Sequence, residues 1–510
     1  MAENNLLDER QVRLQKLEQI KESGINPYPE KFDKTNSLLE AKSLKEGTSV
    51  SVAGRIMTKR EMGKIAFIHL QDWSGKMQMV FKLDEIGKEE FKFLEKKIDL
   101  GDFLGVTGQI FTTQKGEISV LADKYTFLGK TLRSLPEKFH GLKDPEVIYR
   151  QRYLDLLMNE DSKNTFKFRS LFIKTLREFY WQEGFEEVET ATLLTKATGA
   201  TAKPYKTHNN ALDIDLHLRI SHELPLKELI IGGMEKVFEI GKAFRNEGAD
   251  PSHLPEHTHV EHYCAYWNFE DNIIFTEKMI DYLFDNLKIN RKIEIIGRDD
   301  KKHKVDWTTP WKKLDYIEMI KKDANIDITK YTDAQELLKD IKKEKIEFEG
   351  MNEMSLAGLV DNLYKKVSRP KIINPTILYN YPKYTQPLAR VSDNNPNIVE
   401  QFQLVVNSWE ILRAYSELVD PLDQKARFEE QKKAKAGGEI EVMESDDEFI
   451  TALEHGAPPI SGWGMGIDRI IALLTGKTNL RDVVLFPLLR PTEDENTKTT
   501  RKITDELNKK

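Results

Sequence analysis

Residues 462–469 read Gly462-Trp463-Gly464-Met465-Gly466-Ile467-Asp468-Arg469, and an apolar helix pattern follows. Three alternating glycines allow another group to approach the backbone closely, and the start of the following helix can face an anion. The spacing differs from that of a dinucleotide-binding loop. The residues alone leave two interpretations open: Arg469 binds a phosphate, or the glycines pack a helix against a sheet and Arg469 forms a salt bridge.

A second stretch, Phe244-Arg245-Asn246-Glu247-Gly248, precedes a loop and then a strand pattern that contains Glu261 and Tyr263. In a strand–loop–strand hairpin, Arg245 and Glu247 lie on one face because side chains alternate along a strand. The guanidinium can bind a phosphate and the carboxylate can accept a hydrogen bond from an amino group. Taken alone, the two residues also fit an ion pair between strands.

The composition is that of a folded globular protein, with 39% apolar and 32% charged residues in a chain of 510. The net charge of −7 does not exclude an RNA partner, because a local basic face can exist on an acidic protein. The single cysteine, Cys264, excludes an intrachain disulfide and favours a cytoplasmic location. We expect neither a secretory signal in the polar start MAENNLLDER nor a membrane-spanning segment.

The N-terminal part divides into a helical extension at 1–47 and a β-rich region at 48–132. The β-rich region has five short apolar runs with a helix after the third, which is the order of an OB-fold barrel. Such barrels bind single-stranded nucleic acid by stacking bases on aromatic side chains. Phe67, Gln78 and Glu117 are the candidate contacts, and a barrel without a ligand is the alternative.

The C-terminal part follows a Pro-rich and charged segment at 133–160, which we predict to be a hinge. Residues 161–510 alternate strand and helix patterns, and an inserted helical segment is expected at about 313–370. One of the predicted strands is QFQLVVNSWEIL, at 401–412. The pattern predicts an antiparallel sheet flanked by helices. The predicted fold class is therefore a multidomain α+β protein, with an OB-fold barrel followed by a domain built on an antiparallel sheet flanked by helices.

Together, the two stretches quoted above resemble motifs 2 and 3 of the class II aminoacyl-tRNA synthetases. Other stretches resemble the lysyl branch of this family and occur in order over nearly the whole chain. They are SVAGRIMTKREMGKIAFIHLQD (51–72), KFHGLKDPEVIYRQRYLDL (138–156), THNNALDIDLHLRISHEL (207–224), VFEIGKAFRNEG (237–248), YPKYTQPLAR (381–390), AYSELVDPLDQKARF (414–428), TALEHGAPPISGWGMGIDR (451–469) and LRDVVLFPLLRP (480–491).

The resemblance implies a site for ATP and Mg²⁺. Its ATP-binding residues would be Arg245, Glu247, His253, His257, Glu410 and Arg469. Arg245 and Arg469, the implied catalytic residues, would contact the α- and γ-phosphates. Glu247 would accept from the adenine amino group, and His253 would contact the β- and γ-phosphates. Glu410, with Gln403, would ligate Mg²⁺.

The resemblance also implies a lysine site. Its residues would be Gly199, Glu223, Arg245, Glu261, Tyr263, Arg413 and Glu417. Gly199 and Glu223 would receive the α-amino group, while Glu261, Tyr263 and Glu417 would surround the ε-ammonium. Carboxylates suit that end of a pocket because an unpaired ammonium is costly to desolvate.

Several positions depart from the family pattern. Gln403 stands in place of a second magnesium-binding glutamate, and an amide oxygen can ligate Mg²⁺ but adds no charge. Arg413 replaces an asparagine beside the lysine carboxylate. An arginine there can bind that carboxylate, or its charge can weaken the binding of an ammonium substrate. His257 replaces a phenylalanine that stacks on adenine. Ser252 replaces an arginine, and Ala191 replaces a proline near the dimer interface.

The implied function is lysine–tRNA ligation, in which lysine and ATP form lysyl-adenylate and the adenylate acylates tRNA. The OB domain would contact the anticodon, the catalytic domain would contact the acceptor end, and the protein would be a cytoplasmic homodimer. An aspartyl- or asparaginyl-type ligase is the first alternative. Joining lysine to a protein is a second, disfavoured because such relatives lack the OB domain. A catalytically inactive RNA-binding homologue is the third.

Overall fold

The computed structural model describes residues 2–136, 142–196, 198–200, 202–248, 250–297, 299–436 and 446–492. The chain forms two compact units, Met1–Lys143 and Asp144–Lys510. The division falls inside the predicted hinge at 133–160, of which residues 137–141 lie outside the described residues. No helix in the described ranges is both long and apolar enough to cross a membrane.

The first unit is built on a closed barrel with the strand order β1-β2-β3-β5-β4. Its strands are β1 (Ser49–Met62), β2 (Ile65–Gln71), β3 (Lys76–Lys82), β4 (Phe103–Thr112) and β5 (Ile118–Gly129). Its helices are α1 (Ala2–Glu22), α2 (Leu38–Lys42), α3 (Leu83–Ile86) and α4 (Lys88–Lys97). Alternate residues of β1, such as Val50 and Val52, are buried in the barrel core. The five strands, with helices between the third and fourth, match the predicted OB-fold.

The second unit is built on an eight-stranded sheet in the order β14-β15-β16-β17-β18-β11-β10-β6, antiparallel except at its two edges. The eight strands of this sheet are β6 (Glu186–Glu187), β10 (Lys236–Phe244), β11 (Glu256–Ala265), β14 (Lys312–Asp315), β15 (Thr376–Pro382), β16 (Ile398–Val406), β17 (Trp409–Ser416) and β18 (Ile460–Gly466). Two smaller sheets contain β7 (Leu193–Leu194), β8 (Lys206–Asn209) and β9 (Ile214–Leu218), and β12 (Lys292–Ile296) and β13 (Lys302–Asp306). The fold class predicted from the sequence is confirmed.

The helices of the second unit flank this sheet. They are α5 (Pro145–Arg150), α6 (Arg152–Met158), α7 (Glu160–Gln182), α8 (Glu223–Ile231), α9 (Phe269–Leu287), α10 (Tyr316–Ala324), α11 (Ala334–Lys343), α12 (Leu356–Val367), α13 (Pro421–Ala436), α14 (Asp447–Glu454) and α15 (Ile467–Leu474). Between β14 and β15, α10, α11 and α12 share an apolar cluster that includes Ile320, Leu337 and Leu363. These three helices lie within the segment predicted as a helical insertion.

Helices α5 and α6 are part of the second unit rather than of a linker. Arg152 is 1% exposed, donates to the carbonyl oxygen of Leu485 at 2.9 Å and pairs with Asp155 at 2.6 Å. A buried guanidinium held in this way fixes the backbone around it. The predicted hinge at 133–160 therefore overlaps the beginning of the second unit.

Two strand pairings in the centre of the sheet position the candidate site. Glu261 of β11 pairs in register with Gly464 of β18, and Gly464 pairs with Arg413 of β17. On the other side, Glu261 pairs with Glu239 of β10. The two stretches that the sequence analysis singled out are thus adjacent in the sheet, although they are far apart along the chain.

Candidate active site

The alternating glycines of β18 open one face of the sheet. A Cβ atom at Gly462 would lie 2.1 Å from Oε1 of Glu417 and 2.4 Å from Cε1 of Tyr263. A Cβ atom at Gly464 would lie 3.4 Å from Cγ of Glu261. The first two distances are far below van der Waals contact, so only glycine fits at residue 462. The strand thereby gives room to three side chains that were predicted to surround a lysine ammonium.

A buried lysine, Lys227 of α8, joins two of the predicted acids. Its Nζ lies 2.7 Å from Oε1 of Glu223 and 2.6 Å from Oε2 of Glu417. Burial alone would lower the pKa of Lys227, but the two carboxylates raise it above its ordinary value. The sequence analysis missed this residue, although Glu223 and Lys227 have the i, i+4 spacing of a helical ion pair.

The second oxygen of Glu417 is left without a partner. Glu417 is 1% exposed, and its Oε1 has no hydrogen-bond partner in the described part of the chain. Burial raises the pKa of Glu417 to about 8, against the opposing effect of Lys227. A buried carboxylate oxygen without a partner is costly, and a ligand cation or donor would relieve that cost.

The two residues predicted to receive an α-amino group are neighbours in the structure. Gly199 has a φ of +85°, and a Cβ atom there would lie 3.3 Å from Cβ of Glu223. Burial raises the pKa of Glu223, while Lys227 opposes the shift. The glycine therefore fits a backbone conformation that other residues rarely adopt and leaves space beside Glu223.

The two predicted catalytic arginines lie partly buried near one another. Arg469 donates from Nη1 to the carbonyl oxygen of Glu410 at 3.0 Å, and the Nε of Arg245 lies 3.5 Å from the carbonyl oxygen of Ile220. Burial lowers the pKa of both guanidinium groups, and the charge of Arg245 lowers that of Arg469 further. Two cations that disfavour each other in this way form a site suited to a polyanion.

The guanidinium of Arg413 contacts both predicted metal ligands, Glu410 and Gln403. Its Nη2 lies 3.1 Å from Oε1 of Glu410. The amide of Gln403 can form hydrogen bonds to its neighbours in one orientation only. In that orientation its oxygen lies 2.6 Å from Nη2 and 3.1 Å from Nε of Arg413, and its nitrogen lies 2.9 Å from the Tyr381 hydroxyl. Burial alone would raise the pKa of Glu410, but Arg413 and Arg469 lower it. Because oxygens of both residues already contact one guanidinium, Glu410 and Gln403 do not fit Mg²⁺ in this arrangement.

The remaining predicted ATP contacts lie at the rim of the site. Glu247 is exposed and accepts from the backbone N–H of Lys203 at 3.4 Å. His253 is exposed as well, and its Nδ1 lies 2.9 Å from Oδ2 of Asp250. His257 is half-buried, and burial together with Arg245 lowers its pKa to about 3, so its imidazole is neutral at physiological pH.

One residue of the glycine-rich stretch, Asp468, has a positioning role that the sequence analysis did not identify. Its Oδ2 accepts from the backbone N–H of Thr258 at 2.9 Å, and its Oδ1 pairs with Arg169 at 2.6 Å. The carboxylate thus fixes the first turn of α15 against β11. This contact sets the position of Arg469, the next residue in the chain.

In the first unit, the predicted nucleic-acid contacts converge on one face of the barrel. Gln78 donates to Oε2 of Glu117 at 2.7 Å, and Nε2 of His69 lies 3.0 Å from Oε1 of the same carboxylate. Phe67 is half-buried and stands two residues before His69 on β2, so the two side chains share a face. The sequence analysis missed His69, whose alternation with Phe67 is visible in IAFIHLQ.

Comparisons with known proteins agree with the fold of both units. Residues 144–490 match the family model described as tRNA synthetases class II (D, K and N), and residues 50–128 match the OB-fold nucleic acid binding domain. Three curated relatives each carry the name lysine–tRNA ligase. They are from Syntrophomonas wolfei (41% identical, 97% of this chain and 99% of the relative), Carboxydothermus hydrogenoformans (42%, 94% and 97%) and Aquifex aeolicus (44%, 87% and 73%).

The family match covers more than half of the chain, and the similarity to the lysine–tRNA ligase of Syntrophomonas wolfei extends over both units. The motifs that carried the resemblance, around Arg245 and Arg469, both lie within the matched region and meet on the same sheet. The chain therefore belongs to the class II tRNA synthetases of the D, K and N group.

Proposed function

We propose that this chain is a lysine–tRNA ligase that activates lysine with ATP and transfers it to tRNA. The observation that carries the proposal is the buried Oε1 of Glu417, which lacks a partner beside Tyr263 and Gly462. An ammonium group at that position would both bond to the carboxylate and balance its charge, whereas an amide would bond without balancing the charge and a carboxylate would be repelled. The names of the curated relatives support the same substrate.

In this proposal, the lysine chain runs from Gly199 and Glu223 towards Glu417. The α-amino group would lie near the first two residues, and the ε-ammonium would lie among Glu261, Tyr263 and Glu417. Hydrogen bonds from His222, together with its charge when protonated, offset the effect of burial and lower the pKa of Glu261, so this carboxylate is charged. A charged acid at the end of a buried pocket favours lysine over aspartate and asparagine.

The chemical step needs positioning and charge more than a nucleophile from the protein. A carboxylate oxygen of lysine would attack the α-phosphorus of ATP, a bond from phosphorus to the bridging oxygen would break, and pyrophosphate would leave. Arg245 would stabilise the charge that develops on the α-phosphate, and Arg469 would bind the γ-phosphate. His253 would contact the β- and γ-phosphates. The neutral ring of His257 would stack on adenine, and Glu247 would accept from the adenine amino group.

For the metal, we propose that Mg²⁺ accompanies ATP and that Arg413 supplies the positive charge between Glu410 and Gln403. Bound Mg²⁺ supplies charge neutralisation at phosphate oxygens in reactions of this class. The contacts of Arg413 with both residues support this proposal, because its guanidinium takes the place of a metal ion that Glu410 and Gln403 would otherwise bind. In that position Arg413 can also reach the carboxylate end of a bound lysine.

The partners that we propose are tRNA and a second copy of this chain. Phe67, Gln78 and Glu117 would contact the anticodon, together with His69, and support comes from the match of residues 50–128 to a nucleic acid binding domain. A homodimer and a cytoplasmic location follow from the family resemblance. Sedimentation at micromolar concentration tests the dimer. We further propose the bounds 1–47 and 48–132 for the N-terminal part, and we propose that the second domain begins at α5 instead of at residue 161.

Amino-acid-dependent ATP–pyrophosphate exchange, run with lysine, aspartate and asparagine side by side, tests the function. We expect exchange with lysine alone, followed by lysine transfer to tRNA. Exchange with aspartate or asparagine in place of lysine would favour the first alternative. The departures at Gln403, Arg413 and Ser252 motivate the other alternative, an inactive RNA-binding homologue, and the absence of exchange with every amino acid would support it.

A further inference from the structure

We propose that His222, His259 and Glu261 form a site for a divalent transition metal, best suited to Zn²⁺. The site shares Glu261 with the proposed ammonium site formed by Glu261, Tyr263 and Glu417. Nε2 of His259 lies 2.5 Å from Nδ1 of His222 and 3.1 Å from Oε1 of Glu261. Nδ1 of His222 lies 3.5 Å from the same carboxylate oxygen. The three donor atoms therefore lie within 4.8 Å of one another, and Oε1 of Glu261 also accepts from the Ser221 hydroxyl at 3.3 Å and from the backbone N–H of His222 at 3.2 Å.

The donor set has the chemistry of a zinc site. Two imidazole nitrogens and one carboxylate oxygen are a recognised three-ligand set, which leaves a fourth position for water or a ligand. Both imidazoles are buried, with His222 0% and His259 8% exposed. Without a cation, two ring nitrogens at this separation require one of them to carry the proton that both share. A bound metal would replace that proton and use both lone pairs.

The surroundings of His222 support the same assignment. Its other ring nitrogen, Nε2, has no hydrogen-bond partner among the described residues, and it lies 3.5 Å from Oε1 of Glu239. Glu239 is held in turn by Arg219, at 2.5 Å. A carboxylate behind the free nitrogen of a ligating histidine is the usual outer partner at metal sites. Gly241 makes this arrangement possible, because a Cβ atom there would lie 2.6 Å from Nε2 of His222.

The site has a consequence for the reaction, and this step rests on the proposed function. Glu261 is one of the acids proposed to neutralise the ε-ammonium of lysine. A carboxylate bound to Zn²⁺ has less charge to offer to an ammonium, and the metal adds positive charge next to it. We therefore expect Zn²⁺ and lysine to oppose each other's binding, so that Zn²⁺ inhibits lysine activation.

The first experiment detects the site directly, without lysine or ATP. Co²⁺ is added to the metal-free full-length protein, and its visible d–d absorption reports binding with low coordination number. We expect one strong band in the wild type and Co²⁺ affinity weakened by more than about ten-fold in His259→Gln and in His222→Gln. The control is His455→Gln, because His455 is exposed at the end of α14 and outside the cluster. Circular dichroism checks that each variant is folded.

Two results would overturn the site: no d–d band in the wild type at millimolar Co²⁺, or equal affinity in the wild type and in both folded cluster variants. A second titration, with Co²⁺ added in the presence of saturating lysine, tests the link to the reaction. We expect lysine to weaken Co²⁺ binding. An intact band that lysine does not affect would keep the metal site and contradict the proposed position of the lysine ammonium.

Discussion

Nζ of Lys227 lies between two buried carboxylates, 2.6 Å from Oε2 of Glu417 and 2.7 Å from Oε1 of Glu223. The three groups carry one net negative charge when all are ionised. Burial raises the pKa of Glu417 to about 8, so near neutral pH a proton on this residue removes that charge. One additional cation, which in our proposal is the ε-ammonium of the substrate, can therefore take the place of that proton.

Replacing Lys227 with methionine tests how much this residue supports the pocket. Lys227→Met keeps most of the side-chain volume but leaves Glu223 and Glu417 buried without a cation. We expect the free energy of unfolding to fall by about 3–5 kcal/mol, measured by urea denaturation. Lys174→Met is the matched control, because Lys174 forms an exposed pair with Glu178 at 3.6 Å and should change stability by less than about 1 kcal/mol. Equal effects of the two substitutions would contradict the role given to Lys227.

Lysine binding should depend on pH through Glu417. The pKa of this residue is raised to about 8 in the free protein, and a bound ammonium would lower it again. Below pH 8, binding must then release a proton, so lysine affinity rises with pH by up to about ten-fold per unit and levels off above pH 8.

Calorimetric titration in two buffers of different ionisation enthalpy measures this proton release. We expect close to one proton per lysine well below pH 8, and none in Glu417→Gln, which binds lysine weakly at every pH. An affinity that stays flat as pH rises towards 8 would show that Glu417 does not receive the ammonium.

The sequence predicted the elements that depend on local pattern. Apolar alternation, visible in β1 at Val50 and Val52, was sufficient to predict the strands of the barrel. The spacing of the glycines, together with Arg245 and Arg469, was sufficient to recognise the two motifs. The run QFQLVVNSWEIL was predicted as one strand, and that prediction was wrong. Asn407 and Ser408 take φ angles of 48° and 64°, and the chain reverses there between β16 and β17. An apolar run does not reveal a tight turn when its residues lack the usual Gly.

The contacts of the site were less predictable because they join distant parts of the chain. The pairing of Glu223 with Lys227 was available from helical spacing, but the pairing of Lys227 with Glu417 depends on how α8 packs against β10, β11 and β18. The sequence likewise identified Gln403 and Arg413 as departures from the family. It did not reveal that their side chains contact each other, since that contact requires the register of β16 against β17, in which the two residues face each other.

A substitution on the proposed anticodon face of the barrel should weaken RNA binding and leave the activation of lysine unchanged. Phe67→Ala removes the half-buried ring proposed to stack on an anticodon base. We expect tRNA affinity to weaken by about 1–3 kcal/mol in a filter-binding or fluorescence titration. Exchange of pyrophosphate with ATP, which does not require tRNA, should keep its wild-type rate. Trp181→Ala is the control, because Trp181 is an exposed aromatic residue of α7 in the other unit. A loss of exchange with Phe67→Ala would mean that the two units are not independent in function.

The contacts of Arg413 lead to a prediction about metal binding. Glu410 and Gln403 present oxygens to its guanidinium, at 3.1 Å and 2.6 Å from Nη2. The wild-type protein without nucleotide should therefore bind Mn²⁺ weakly, as measured by electron paramagnetic resonance. The double substitution Arg413→Asn with Gln403→Glu removes the guanidinium and adds a carboxylate, so we expect it to bind Mn²⁺ at least about ten-fold more tightly.

The single substitutions separate charge from occupancy. Gln403→Glu alone leaves the Arg413 guanidinium between two carboxylates, and it can pair with both of them. This variant should therefore bind Mn²⁺ little better than the wild type. Arg413→Asn alone leaves Glu410 without its nearest cation and should give an intermediate affinity. If the wild type and the double variant bind Mn²⁺ equally, Arg413 moves aside for the metal and its contacts with Glu410 and Gln403 belong only to the protein without substrate.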